Sequence, residues 1–538
     1  MSKEKRPRSF ADNTGLSIGA KSSSGLSRRS FIAGAGLGAA AFAGLGLTAC
    51  APQTTTSSNA LPEEASSASL EPNTVQFEAS KSVSKHEEKS ADMVVIGSGI
   101  AGMSAATQAS EMGLSVIVLE KNSVTGGDSS ICSGNYYCCG SKYQDSLGLS
   151  DYGTADEIAD FFFMQSDGDA SREICKLVAE HGGEGLDWLV DHGCSFKKKP
   201  GDNVSDRSML SENSGKGIID ALVAASEQNG VELLMQTRAI EILMADGKVS
   251  GVVARQDEIE YKISAPSVLV ASGGFDGQDW SKELYAAKGT VGWHTFSTPT
   301  NTGDGNELAR MAGASIICKG GLSQIHLVGW DPLPLNDDLS KLRIINTGVF
   351  ITDLGYRCAN ESMTSQFDYF VPFVQSGRSK FAIVCDSQQA DERLQLLNRA
   401  VEKGVAFKAN NLEDLASQAD IPGYPLSKTI QQYNELCEQG EDPFFHKKID
   451  NLIKVNEAPY YLVQITPNTN DSFGCIAIST KAEALDGERK PVPGLYAAGT
   501  AANAELFYRR YAVSGASLCM GTVTGRIAAQ SIKEYLGK

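Results

Sequence analysis

One short run constrains this chain more than any other. Asp92-Met93-Val94-Val95-Ile96 is an apolar segment of the length of a buried parallel strand, and Gly97-Ser98-Gly99-Ile100-Ala101-Gly102 follows it at once. The pattern predicts a helix from Met103 to about Met112, a second strand from Ser115 to Leu119, and an acid, Glu120, at its end. Strand, glycine turn, helix, strand and acid in that order describe a dinucleotide-binding βαβ unit. The glycines have separate duties: Gly97 permits the tight turn, Gly99 lets a pyrophosphate approach the backbone, and Gly102 lets helix and strand lie close. Through Ile100 and Ala101 the turn leads into a helix N-terminus that faces the phosphates, and Glu120 can accept hydrogen bonds from the adenosine ribose. The fingerprint occurs once, so a second nicotinamide-binding domain in the same chain is not expected.

The 538 residues suit two or three domains. A content of 41% hydrophobic and 21% charged residues excludes wholesale disorder and a multi-span membrane protein. The formal charge of −17 is a poor balance for tracking a phosphate backbone, so nucleic acid is not an expected partner. That charge is uneven, because seven bases and only two acids fall in residues 1–49. Ser27-Arg28-Arg29-Ser30-Phe31-Ile32 and a Gly/Ala-rich apolar run ending Leu47-Thr48-Ala49-Cys50 resemble a twin-arginine export signal with a lipobox over residues 1–50. This places the mature protein outside the cytoplasm, lipid-anchored to the cell membrane through Cys50. Residues 51–90 are Ser-, Thr-, Ala-, Pro-, Glu- and Lys-rich and read as a flexible linker. Twelve cysteines in so long a chain do not make a disulfide scaffold, and no Cys-x-x-Cys-His occurs for a covalent haem.

Further motifs make the dinucleotide specific. Glu120-Lys121 followed by Thr125-Gly126-Gly127-Asp128-Ser129-Ser130 resembles the flavoprotein family of fumarate reductases, urocanate reductases and ketosteroid dehydrogenases, with Asp128 where that family usually has Asn. Ala265 to Phe275, containing Gly273-Gly274, resembles the family's strand and turn beside FAD. Asn301-Thr302-Gly303-Asp304-Gly305, Pro493 to Gly499 with Thr500, and Gly515-Ala516-Ser517-Leu518 match its later segments in order. The resemblance spans roughly residues 91–535 and implies bound FAD. It implies an α/β fold: a Rossmann-like FAD-binding domain of the glutathione-reductase type, built from 91–327 and 469–538, with an α+β capping domain inserted at 328–468.

It also implies a reaction. Reducing a carbon–carbon double bond needs hydride, polarisation of the acceptor and a proton for the second carbon. Gly355-Tyr356-Arg357-Cys358-Ala359-Asn360-Glu361 resembles the family's Gly-x-Arg-Phe-x-Asn-Glu, which makes Arg357 the proton donor by resemblance. Gln324-Ile325-His326 resembles the Gln-x-His that touches substrate in fumarate reductases. Two departures stand against fumarate. Asn468 to Ser472 lacks the family's second His, and Tyr508-Arg509-Arg510-Tyr511-Ala512-Val513-Ser514-Gly515 replaces the Asn-Arg-x-Gly-Gly that holds a carboxylate. Tyr511-x-x-x-Gly515 instead resembles the ketosteroid dehydrogenases, where a Tyr hydroxyl and a Gly amide hold a ketone oxygen.

The expectation is reduction of an enone or unsaturated lactone, of which the cardiac glycoside digoxin is one. The alternatives are an unsaturated acid held by Arg509 or Arg510, the reverse dehydrogenation, or a flavin electron carrier with no substrate. Electrons are expected from a separate membrane-associated cytochrome c or quinol dehydrogenase. Cys132, Cys138 and Cys139 leave open an iron–sulfur cluster, although their spacing fits no zinc or ferredoxin pattern.

Overall fold

The computed structural model describes residues 82–200, 206–318, 320–330, 339, 342, 345–362, 370–389, 391–508 and 511–538. The expected export signal and lipobox, the expected linker up to residue 81, Arg509 and Arg510 lie outside the described residues. No helix among the described residues is long and apolar enough to cross a membrane.

The βαβ unit forms where the sequence places it. Met93–Ile96 and Val116–Leu119 are adjacent parallel strands with every residue buried. Their β-branched, all-apolar character suits a sheet covered on both faces. The helix between them runs Ile100–Glu111, three residues earlier than expected, because Gly99 in extended conformation already serves as its N-cap. Val268–Val270 flanks Met93–Ile96 on the other side, and the sheet continues through Pro491–Ala497 to Glu483–Leu485 at one edge and ends at Glu232–Leu234 at the other. Strands 170 and 400 residues apart in sequence thus share one core. The last helix, Ala516–Leu536, lies against Ile100–Glu111 at a distance only small residues allow. A Cβ at Gly525 would stand 2.3 Å from Ala101 O, and one at Gly521 2.6 Å from Ile100 Cγ2.

A second six-stranded sheet supports two further cores. Its backbone is the 14-residue strand Tyr460–Phe473, which pairs with Phe381–Cys385, Ala406–Ala409, His294–Thr295 and Gly321–Val328; Val349–Thr352 extends it beyond Phe381–Cys385. Alternation along this strand divides two cores, with Tyr461, Val463 and Ile465 in one and Leu462 in the other. His294–Thr295 and Gly321–Val328 precede residue 329, so this sheet draws strands from either side of the first expected boundary.

Not all of residues 51–90 is a tether. Lys85–Ser90 is a strand that pairs in parallel with Ile259–Ser264 at the edge of a four-stranded sheet. Its side chains are polar and exposed or half-buried, so composition gave no warning; the backbone ladder recruits it, with polar contacts of His86 to Glu260 and Lys89 to Glu232 beside it.

Candidate functional site

The three fingerprint glycines separate by what stands next to them. A Cβ on Gly97, at φ +105°, would lie 2.5 Å from Ala271 O, and one on Gly102 would lie 2.0 Å from Gly97 O. Both are glycine because the protein itself leaves no room. Gly99 is different. Its Cβ would meet only Ser129 Oγ at 3.5 Å and Gly126 O at 3.8 Å, ordinary contacts, so the reason for glycine lies in whatever fills the space in front of it. That space is a cleft of about 1380 Å³, counting the open solvent at its mouth. Its wall includes Gly97 to Ala101, Glu120 and Lys121, Gly126 to Ser129, Gly273, Asp304, Gly499 and Thr500, and Tyr511 with Gly515, Ser517 and Leu518. Two expected cofactor residues do not line it. Gly102 packs helix on turn, and Gly274 passes under Ser472, whose Oγ would be 2.0 Å from an added Cβ.

At one part of the wall the groups are already paired. Glu120 Oε2 accepts from Ser98 N and Oγ, Glu120 Oε1 accepts from Asn122 N, and Gly126 N donates to Ser98 Oγ, which ties the two glycine loops together. Lys121 Nζ donates to Thr302 Oγ1 at 3.0 Å and Asp304 Oδ2 at 3.1 Å, and Arg238 Nε donates to the same oxygen at 2.9 Å. Burial pushes the Asp304 carboxyl up, but Lys121 and Arg238 outweigh it and hold the group at about 2. Lys121 is itself lowered by burial, against the pull of Asp304. Arg238, invisible to motif reading, completes this cluster from a neighbouring strand, Arg238–Ala245.

Around Tyr511 the wall is acidic. Asp471 accepts from Ser472 N at 2.8 Å and from Ser517 Oγ at 2.9 Å, and Ser517 N donates to Tyr511 Oη at 3.0 Å. Asp128 Oδ1 accepts from Thr298 N at 2.6 Å. Behind them Asp276 is fully buried and accepts from Thr295, Ser297, Thr469 and Asn301 side chains. Burial, then Asp276, raises Asp128 to about 7 and Asp471 to about 8, so around neutrality Asp471 mostly keeps its proton and Asp128 is midway through its titration. Burial also pushes the Tyr511 hydroxyl up to about 12, so it remains a donor. Gly515, at φ +99°, caps Ala516–Leu536; a Cβ there would press within 2.9 Å of the Tyr136 backbone.

Other candidates lie elsewhere. Arg357 is not part of the cleft wall. Its side chain, 7% exposed, donates to Glu361 Oε1 and Oε2 at 3.0 and 2.7 Å and to Asp442 Oδ2 at 2.7 Å, over the ring of Phe445. Burial works against its charge, but the two carboxylates raise the guanidinium above its usual range. Lys447, buried beside Glu361, is lowered to about 8 by that burial. His326 lies on Gly321–Val328, its backbone in register with Asn468, with register shifts on both sides of Gln324; its side chain lies outside the described part of the structure.

The cysteines do not form the metal site left open above. Among the described residues no group of His, Cys, Asp or Glu converges as a metal cage requires. Cys132 Sγ donates to Ser129 O, Cys138 is buried facing Gln144, and no disulfide joins the described cysteines. Burial raises all three thiols, the reverse of what a thiolate ligand needs.

The cleft fits FAD on its own geometry. Gly99 leaves space that no protein atom uses, Ile100 opens a helix toward it, and three buried polar atoms on the wall, Asn135 Oδ1, Ser272 Oγ and Asn470 Oδ1, have no partner. Residues 92–518 match the FAD binding domain family. The chain belongs to that family. It is an FAD-dependent oxidoreductase, and the bound flavin supplies hydride transfer to or from carbon. Gly97 to Ala101 and Gly126 to Ser129 would hold its pyrophosphate, and Glu120 its ribose.

The chain is 27% identical over 475 residues to a probable fumarate reductase of Shewanella frigidimarina, covering 86% of this chain and 78% of that protein. It is 28% identical over 496 residues to the vinyl phenol reductase of Lactiplantibacillus plantarum, covering 83% and 98%. A flavocytochrome c3 fumarate reductase in its open conformation superposes with a TM-score of 0.64 at 24% identity, covering 86% of this chain and 80% of that one, which shows the shared fold.

Motif reading missed Arg238, Asp276 and Asp471. Asp276 directly follows Gly273-Gly274-Phe275, and that adjacency was the one usable signal.

Proposed function

We propose that this flavoprotein reduces the carbon–carbon double bond of an uncharged α,β-unsaturated carbonyl compound, an enone or an unsaturated lactone such as that of digoxin. One observation carries the reading. Asp471, joined to Tyr511 through Ser517, and Asp128 both present carboxyls on the cleft wall, whereas among the described residues the cations of that wall, Lys121 and Arg238, are both bound to Asp304. A carboxylate substrate would need a cation and would instead raise the cost of ionising two acids. The vinyl phenol reductase among the relatives acts on an acceptor without a carboxylate.

In this reading Tyr511 Oη–H and the Gly515 amide donate to the carbonyl oxygen and stabilise the enolate that develops there. Ser517 N, by donating to Tyr511 Oη, turns the hydroxyl's own proton away from itself. Arg357 protonates the remaining carbon once the cap brings it over the cleft, with Glu361 and Asp442 fixing the guanidinium. His326 adds a polar contact to the acceptor. Electrons come from a separate cytochrome c or quinol dehydrogenase. Arg28-Arg29 and Leu47-Thr48-Ala49-Cys50 support export and lipid anchoring at the cell membrane.

The test is anaerobic turnover of the FAD-loaded protein with reduced methyl viologen, across enones, unsaturated lactones, fumarate, urocanate and cinnamate. Neutral carbonyls should give the higher kcat/KM, and Tyr511→Phe should lower kcat by about 10²–10³ with little change in KM. Faster reduction of the acids, with Tyr511→Phe neutral, would overturn the reading.

A further inference from the structure

Three carboxyls from distant parts of the chain meet at the cleft. Asp128 comes from the short helix Gly127–Ile131, Asp276 from the turn after Gly273-Gly274, and Asp471 from the strand Tyr460–Phe473. Asp128 and Asp471 line the cleft, and Asp276 lies fully buried behind them. Apart from one another, the described groups around them carry no charge. Asp128 accepts from Thr298 N, with Ser297 and the Cys132 thiol within reach. Asp471 accepts from Ser472 N and Ser517 Oγ, with the Tyr511 hydroxyl and the Cys475 thiol within reach. Asp276 accepts from Thr295, Ser297, Thr469 and Asn301. The described cations of the same wall, Lys121 and Arg238, are held on Asp304 instead.

A second observation puts a ligand against this stretch of wall. Asn470 Oδ1, next in the chain to Asp471, is enclosed on the cleft without a partner. The ligand that the cleft fits is FAD, whose pyrophosphate is itself negative. Reducing it adds charge: two electrons enter with one proton that stays on the flavin, so one further negative charge remains in the cleft. A charge confined among buried groups needs an opposite charge or a proton to offset it. The carboxyls are placed to take that proton, since each can bind it without moving a chain segment and is relieved of its neighbours' repulsion by doing so. Burial, then Asp276, leaves Asp128 midway through its titration near neutrality and Asp471 about a unit above it, so both can respond.

We propose that Asp128 and Asp471, backed by Asp276, couple flavin reduction to the uptake of a proton from solvent. As two electrons arrive from an external donor, a reduced viologen in the assay, one carboxylate of the pair becomes a carboxylic acid. When hydride leaves for the acceptor, that acid returns its proton to solvent. The two residues act through the flavin's potential and touch no bond that is made or broken. Linkage makes the effect reciprocal: the factor by which reduction raises proton affinity is the factor by which protonation favours reduction. The inference goes beyond the reading above and rests on bound FAD alone, so it holds for a charged or a neutral acceptor.

The experiment is a spectroelectrochemical titration of the FAD-loaded protein, with viologen mediators and no acceptor, at intervals from pH 6 to pH 9. One proton taken up per two electrons shifts the reduction equilibrium tenfold per pH unit, about 30 mV; two protons shift it a hundredfold, about 59 mV. Between pH 7.5 and pH 8.5 the wild-type potential should fall by about 59 mV per pH unit or more. Asp128→Asn combined with Asp471→Asn keeps both side-chain shapes and should return the slope to about 30 mV with flavin content unchanged. A wild-type slope of about 30 mV throughout that range would overturn the proposal. So would a steep slope that survives in the double variant, because the proton would then bind elsewhere. The infrared difference spectrum of the wild type at pH 8, reduced minus oxidised, should gain a protonated-carboxyl band and lose a carboxylate band. Absence of that exchange would overturn the proposal even if the double variant failed to fold.

Discussion

Asp471→Asn separates the acid cluster from the rest of the cleft. The side chain keeps its shape, and its amide oxygen can still accept from Ser472 N and Ser517 Oγ, so packing and partners survive. What disappears is a carboxyl that burial and Asp276 raise from 3.8 to about 8. In the unfolded chain this group ionises near pH 4; in the fold it keeps its proton until about pH 8. Below pH 4 both states are protonated and the shift has no effect on stability. As pH rises from 4 to 8 the unfolded chain releases a proton that the fold retains, so wild-type stability falls, and above pH 8 the loss is complete. At about 1.4 kcal/mol for each tenfold change in proton affinity, the full loss is roughly 5–6 kcal/mol. Asp128, raised to about 7, contributes its own slope to both proteins, so the readout is the difference between them. Thermal melts of wild type and Asp471→Asn, with FAD in excess, should show a melting-temperature gap favouring the variant that widens by about 5 °C or more between pH 5 and pH 9. A gap that stays constant across that range would refute the reasoning, because Asp471 would then be ionised in the fold at all these values.

The glycines give a paired prediction: Gly99→Val should fold and lose its flavin, whereas Gly102→Val should fail to fold, since a Cβ at 102 meets Gly97 O at 2.0 Å. Far-UV circular dichroism and flavin absorbance of the purified proteins separate the two outcomes. Arg357→Ala should lower kcat by about 10²–10⁴ with flavin still bound and reducible. Because it also takes the guanidinium from the buried carboxylates of Glu361 and Asp442, leaving Lys447 at 3.6 Å from Glu361 as the remaining cation, it should cost about 3–5 kcal/mol of stability in denaturant titration. Replacing Arg28 and Arg29 by Lys should retain the protein in the cytoplasm, and Cys50→Ala should release it from the membrane with its flavin content intact, as cell fractionation would read.

The nucleotide unit was legible because it is local. Turn, helix N-terminus and terminal acid lie within 29 residues, and Gly97, Gly99 and Gly102 are needed for reasons of backbone geometry that any window of sequence carries. The boundary there that moved most, a helix that begins at Ile100, came from Gly99, which acts both as approach point and as N-cap. Lys85–Ser90 escaped detection because a backbone ladder can recruit an edge strand, and its side chains show no apolar alternation.

The chemistry around Tyr511 was decided elsewhere. Asp128 and Asp471 are ordinary polar residues in their own neighbourhoods, and they become unusual only when segments 148 and 195 residues from Asp276 are folded onto one buried spot with it. A carboxyl's proton affinity depends on the water and the charges it can see, and those are properties of packing. The same holds for Arg357, whose partner Asp442 is 85 residues away, and for Arg238, which reaches Asp304 from another strand. Sequence by itself determined that the chain must cradle a dinucleotide, because backbone turns are written locally. Tertiary structure alone decided which side chains lose their water together, and so which of them line the cleft as acids, as donors or as unpaired oxygens.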